Sequence, residues 1–176
     1  MRKIPHPVNV KSKASPEEFA EKERNEIYLV LDNIRSLYNV GSMFRTADSC
    51  LLKKIYLCGI TGTPPRKEID KTALSTVKFV PWEYKKDITE VLQDLKKEGV
   101  QIVAVEQCYE SVDYREAEYS FPVALVLGHE IEGVSEEALK YCDMAISIPM
   151  LGMANSLNVA NSAAIALHNL LKHHNS

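Results

Sequence analysis

Three stretches of this 176-residue chain combine glycine, which lets a backbone approach a ligand closely, with side chains able to hold one. The first is Asp32-Asn33-Ile34-Arg35-Ser36-Leu37-Tyr38-Asn39-Val40-Gly41, with Arg45 four residues beyond it. The second is Gly128-His129-Glu130-Ile131-Glu132-Gly133, and the third runs from Pro149-Met150-Leu151-Gly152 to Ser156-Leu157-Asn158. Arg45, beside Met43 and Phe44, leaves the apolar face of its helix and suits a solvated position. Asn39, Ser156 and Asn158 are equally suited to cap helices, and Glu130 to hold a turn. Taken singly those structural roles carry more weight, so the functional case rests on their joint order.

More familiar chemistries are missing. No Gly-x-Gly-x-x-Gly occurs, and Gly128 to Gly133 has phosphate-loop spacing but Val134 where lysine belongs. No serine sits in a Gly-x-Ser-x-Gly elbow. His129 has no visible nucleophile partner and reads as a loop histidine. Cys50, Cys58, Cys108 and Cys142 form no Cys-x-x-Cys pair and lie in apolar stretches, which predicts buried free thiols and no metal site.

The elements that must position these loops are read from periodicity. Ile27–Leu31 and Lys54–Cys58 are short buried strands, as are Val100–Val105, Val123–Leu127 and Ala145–Ile148. Val77–Val80 is a further short candidate. Val40, Met43, Phe44, Ala47 and Leu51 mark one helix face, and Ile88, Val91, Leu92 and Leu95 another, closed by Gly99. Ala160, Ala163, Ala164, Leu167 and Leu171 define a last helix. Gly62–Lys71 reads as an exposed basic loop. Ser15-Pro16-Glu17-Glu18 is a helix start, preceded by a basic arm. Strands apolar on both faces alternating with helices predict a mainly parallel α/β sheet. Such sheets bind ligands beyond the carboxyl ends of their strands, where the three loops fall. Residues 1–26 are expected as an arm and helix, and residues 27–176 as a single domain.

A hydrophobic fraction of 45% with 26% charged residues excludes disorder and fibrous classes. No apolar run is long enough to cross a bilayer, and the N-terminus has no secretory core, so the cytoplasm is expected. Charge is unevenly spread: residues 1–86 hold 16 Lys and Arg against 10 Asp and Glu, residues 87–176 hold 5 against 14. Alone, that spread reads as chance; a polyanionic partner, if there is one, would meet the first half, where the arm from Arg2 to Lys13, Arg35, Arg66, Lys67 and Lys71 carry positive charge.

Asn39-x-Gly41-x-x-x-Arg45, Gly128-x-Glu130-x-x-Gly133 and Ile148-Pro149-Met150-x-Gly152-x-x-x-Ser156-Leu157-Asn158-Val159 together resemble the three motifs of the SpoU–TrmH branch of the SPOUT RNA methyltransferases. The third is the most specific, and the match covers about residues 27–171. His129, at a position often small or apolar, and Ala154-Asn155, where some members carry a charge, are mild departures.

The resemblance implies a deep C-terminal trefoil knot, an obligate homodimer, and methyl transfer from S-adenosylmethionine to a ribose 2′-hydroxyl of RNA. By position it implies a cofactor held by Gly128, Ile148 and Leu157, with Met150, Leu127 and Glu106 nearby. It implies Arg45 as the catalytic residue, Asn39 orienting Arg45 or the ribose, Glu130 holding Asn39, Arg45 or the loop geometry, and Ser156 and Asn158 bracing the motif and the nucleotide. A guanidinium stays charged in proteins, so Arg45 is read as a clamp on phosphate and alkoxide rather than a base. No large appended RNA-binding domain is visible, so tRNA, at a D-loop guanosine, is preferred over rRNA. A non-catalytic RNA-binding homodimer and a generic nucleotide-binding α/β protein are the other classes.

Overall fold

The structure, a computed structural model, describes residues 22–174. The expected arm and the helix start at Ser15 lie outside them.

Seven parallel strands form one sheet in the order β3-β2-β1-β6-β4-β7-β5. They are β1 (Asn25–Asp32), β2 (Leu52–Cys58), β3 (Trp82–Lys85), β4 (Gln101–Val105), β5 (Val112–Asp113), β6 (Val123–Leu127) and β7 (Met144–Ser147). The helices are α1 (Leu37–Ser49), α2 (Lys67–Ala73), α3 (Ile88–Lys97), α4 (Glu136–Leu139) and α5 (Val159–His174). In the centre, β1 pairs with both β2 and β6, Leu29 facing Ile55 on one side and Leu125 on the other. A strand buried on both faces must be apolar at successive positions, which is why Ile27–Leu31 and Val123–Leu127 are continuous apolar runs.

Alternation splits these runs between two cores. Ile27, Leu29 and Leu31 pack with Val40, Met43, Phe44 and Ala47 of α1, Ile69 and Ala73 of α2, and Ala163 and Leu167 of α5. Tyr28 and Val30 face the opposite layer with Val91, Leu92 and Leu95 of α3 and Ala138 of α4. Ser36, Asp87 and Ser135 cap α1, α3 and α4 through side-chain oxygens, and Gly99 takes a positive φ of 76° after α3.

Several local expectations change. The Gly62–Lys71 segment is not all loop: α2 starts at Lys67, and its Ile69 and Ala73, one turn apart, are buried. Val77–Val80 is no strand but overlaps a 3₁₀ turn, Thr76–Lys78, entered through positive φ at Leu74 (50°) and Ser75 (73°); the strand follows at Trp82. Leu51 leaves the α1 stripe at φ 48°, and Cys50 takes the buried position. β7 runs one residue earlier than Ala145–Ile148, and in α5 the buried stripe includes Ala166 and Leu170 rather than Ala164 and Leu171. Cys50 and Cys58 are buried, whereas Cys108 and Cys142 are half-buried. Burial, then the charges of Asp32 and Asp87, pushes the Cys58 thiol up to about 12.

Candidate active site

The three glycine-bearing loops meet at one edge of the sheet, because parallel strands deliver all their carboxyl ends to the same side. Glu130, after β6, ties two of them together. Its Oε1 accepts from the Ser36 N–H at 2.9 Å and from Asn39 Nδ2 at 2.9 Å, and its Oε2 accepts from the Arg35 N–H at 3.0 Å. Burial pushes the Glu130 carboxyl up, but these donors outweigh it and hold it below the ordinary carboxylate range. Asn39 in turn accepts from Asn158 Nδ2 at 3.1 Å. Asn158 Oδ1 accepts from the Ala160 and Asn161 N–H groups, so the same side chain caps α5. One residue from each motif thus joins a single chain, Glu130–Asn39–Asn158.

The second loop is a tight turn. His129 and Gly133 exchange backbone hydrogen bonds at 2.9 Å in both directions, and His129 Nδ1 accepts from the Ile131 and Glu132 N–H groups. His129 is a turn-former, as its lack of a partner nucleophile suggests. A side chain at position 128 would land on the backbone of Gly133 and Val134. The glycine at 128 is therefore required for the turn to close on itself. Glu106 braces the same turn: Oε2 accepts from the Val134 N–H at 2.9 Å and Oε1 from the Gln107 N–H at 2.9 Å.

A cleft of about 230 Å³ lies between this turn and the loop after β7. Glu106, Leu127, Gly128, Ile148, Met150 and Leu157 all line it, as do Glu130 and Ser156. Its walls are apolar at Val105, Leu127, Ile146, Ile148 and Leu157. Among the described residues, the backbone of 148–157 makes no hydrogen bond, which leaves donors and acceptors free along one wall. The lining is also polar, with Glu106, His129, Glu130 and Ser156; an apolar wall beside unused main-chain groups suits a purine, whose edge can be read by backbone.

Arg45 is placed apart. It is exposed on α1, does not line the cleft, and forms no hydrogen bond or ion pair among the described residues. Asn39 contacts Glu130 and Asn158, not Arg45. Arg35, Arg66, Lys67 and Lys71 are all exposed, with the Lys71 ammonium 6.0 Å from the Tyr38 ring centre.

Two supports escaped sequence reasoning. Asp32, only 1% exposed, accepts from the Ser135 N–H at 2.8 Å and from Asn33 Nδ2 at 2.9 Å, linking the first loop to the start of α4. Thr61 Oγ1 accepts from the Ile34 N–H and donates to the Leu31 carbonyl. A charge ending an otherwise apolar strand was the available signal for Asp32; nothing local marks Thr61.

The sequence profile of the SpoU rRNA Methylase family matches residues 26–168. The chain belongs to this family. It is 34% identical over 151 residues to a tRNA (guanosine(18)-2'-O)-methyltransferase of Thermus thermophilus, a match spanning 86% of this chain and 77% of the relative. Its fold superposes on a TrmH/SpoU tRNA modifying enzyme of A. aeolicus with a TM-score of 0.82 at 31% identity, covering 91% of this chain and 81% of that one. An AdoMet-bound rRNA methyltransferase from Sinorhizobium meliloti superposes with a TM-score of 0.78 at 31% identity, over 88% of this chain and 60% of that one. In this SpoU-family chain the three glycine-bearing stretches follow one another along the sequence, and Asn39 meets Asn158 across 119 residues.

Proposed function

We propose that this chain methylates a ribose 2′-hydroxyl of tRNA with S-adenosylmethionine as donor, and that a D-loop guanosine is the acceptor. The observation that carries the reading is the Glu130–Asn39–Asn158 chain at the rim of a cleft with free backbone groups, in a SpoU-family protein. The similarity to tRNA (guanosine(18)-2'-O)-methyltransferases supports the choice of acceptor.

The cleft residues fit the donor. Leu127, Ile148 and Leu157 offer an apolar wall, and the 148–157 backbone offers hydrogen bonds to an adenine edge. Bound there, S-adenosylmethionine supplies an electrophilic methyl group. Asn39, fixed on both sides by Glu130 and Asn158, holds a rigid amide next to the cleft-lining Glu130, and its second Nδ2 hydrogen orients the ribose. Ser156 adds a hydroxyl on the cleft wall. Arg45 clamps the adjoining phosphate and stabilises the alkoxide as the hydroxyl proton leaves to a phosphate oxygen or water.

Arg45 reaches the reaction from a second copy of the chain. Its exposed position outside the cleft of its own protomer supports this, as do Leu151, Met153 and Ile131, which are 98%, 100% and 79% exposed beside that cleft. An apolar group so open to water is the mark of a surface that another chain covers. The homodimer, the C-terminal trefoil knot and a cytoplasmic setting complete the reading, supported by the likeness to TrmH/SpoU structures. No described helix is long and apolar enough to cross a membrane.

Incubating the protein with labelled S-adenosylmethionine and unmodified total RNA, then mapping the methylated nucleoside, tests the proposal. A 2′-O-methylguanosine in the tRNA D-loop is expected. Label confined to rRNA transfers the substrate assignment, and RNA binding without cofactor binding returns the chain to a non-catalytic role.

A further inference from the structure

A second hollow, about 380 Å³, opens on the same sheet edge beyond β2 and β3. Ile60, Thr61, Thr63, Arg66, Trp82 and Tyr84 line it. Resting on the function proposed above, we infer that this hollow holds one unstacked nucleotide of the RNA, a neighbour of the nucleotide being methylated.

The walls combine what single-stranded nucleic acid needs: aromatic faces, hydroxyls and a cation. Both aromatic rings are already fixed. The Tyr84 hydroxyl donates to the Gly59 carbonyl at 2.9 Å, and Trp82 meets Phe44 edge-on with ring centres 6.4 Å apart. Fixed rings lose little entropy when a base stacks on them. Tyr84 is still 43% exposed and Ile60 64%, an unusual opening for such side chains beside a sheet. Arg66 stands at the rim, and Lys67 and Lys71 follow it on α2 one turn apart, all exposed. These cations favour a polyanion over an apolar protein surface as the occupant.

The hollow is also built onto the catalytic rim. Thr61 binds the Ile34 N–H, and Gly62 packs on Leu37, so the hollow shares a wall with the loop that ends at Ser36 and with the first turn of α1, which carries Asn39. Only β1 stands between β2 and β6, which places Thr61 roughly two strand spacings of about 4.8 Å from the Glu130 side. A nucleotide one or two positions from the acceptor spans that interval.

Trp82 is the chain's only tryptophan, so its emission reports on this hollow alone. Unmodified tRNA transcript should quench it in the full-length protein. Tyr84→Ala should raise KM for RNA roughly 5- to 100-fold while KM for S-adenosylmethionine stays at the wild-type value, and Tyr84→Phe should recover most of the loss. Ile60→Asp, at an exposed position that folding does not depend on, should raise the same KM by setting a carboxylate among phosphates. Unchanged Trp82 emission at saturating RNA, or an unaltered RNA KM in both Tyr84→Ala and Ile60→Asp, overturns the inference. So does a variant whose sedimentation changes while RNA binding does not, because the hollow then belongs to contact between copies. If no RNA is methylated, the functional reading fails, while quenching by RNA still decides the subsite.

Discussion

At the scale of single residues, the site divides into a fixed part and a free part. Asn39, Glu130 and Asn158 constrain one another, whereas Arg45 is held by nothing among the described residues. Replacing Arg45 by alanine should lower the single-turnover rate roughly 10²- to 10³-fold, the scale of losing one charge-stabilising donor, with cofactor affinity by calorimetry unchanged. Near-normal turnover would remove Arg45 from the mechanism. Glu130 has a different signature. Its carboxylate is held below the ordinary range, so its stabilisation is complete above the unfolded value of about 4.3 and is lost as pH falls through the lower folded value. Urea unfolding should therefore show wild type more stable than Glu130→Gln at pH 7, with the difference shrinking in acid below that range. A gap independent of pH would mean that the charge of Glu130 is irrelevant to loop anchoring.

At the scale of elements, the packing of α1 on α2 decides where the cations of α2 stand. A side chain at Gly41 would overlap Thr72 Oγ1 and the Ile69 carbonyl. Two effects oppose each other in Gly41→Ala. Helix propensity gains about 1 kcal/mol, whereas forcing atoms into a packed contact costs about 1–3 kcal/mol, and here one partner is backbone that cannot swing away. Net destabilisation is expected by denaturant titration, and a stabilised variant would show that the two helices can part freely. α2 also carries the charge prediction. Changing Arg66, Lys67 and Lys71 together to glutamine should weaken RNA binding and reduce its log–log salt slope by roughly 2. An unchanged slope would move the RNA path elsewhere.

For the whole molecule, the question is which cleft each Arg45 serves. Mixing an Arg45→Ala protein with a Glu130→Ala protein, each inactive alone, should restore methylation if one copy's arginine acts on the other copy's cleft. Failure of the mixture to regain activity, despite exchange of subunits seen by sedimentation, would put Arg45 in its own protomer's reaction. If the proposed dimer forms through this face, replacing both Leu151 and Met153 by serine should dissociate it at low micromolar concentration and lower activity with it. Both side chains are almost fully exposed on the single chain, so any stability loss must come from the interface.

Long apolar runs and spaced motifs are local properties, which is why the sequence alone predicts a parallel sheet, its central strands, helices α1, α3 and α5, and the three loops. Six residues named for the cofactor, Glu106, Leu127, Gly128, Ile148, Met150 and Leu157, line the cleft, whereas Ile131, Glu132 and Ser162, which also line it, carry no mark in the sequence. Short elements stay hidden. The helix of α2, only Lys67–Ala73, and the two-residue β5 gain their order from burial and pairing with distant segments, not from their own propensity. The partnerships of the site are likewise tertiary. Asn39 meets Glu130 across 91 residues and Asn158 across 119, and only the shared direction of parallel strands brings those loops to one edge. The role of Gly128 shows the same limit: sequence marks a close approach, but only the folded chain shows that what approaches is the backbone of Gly133 and Val134.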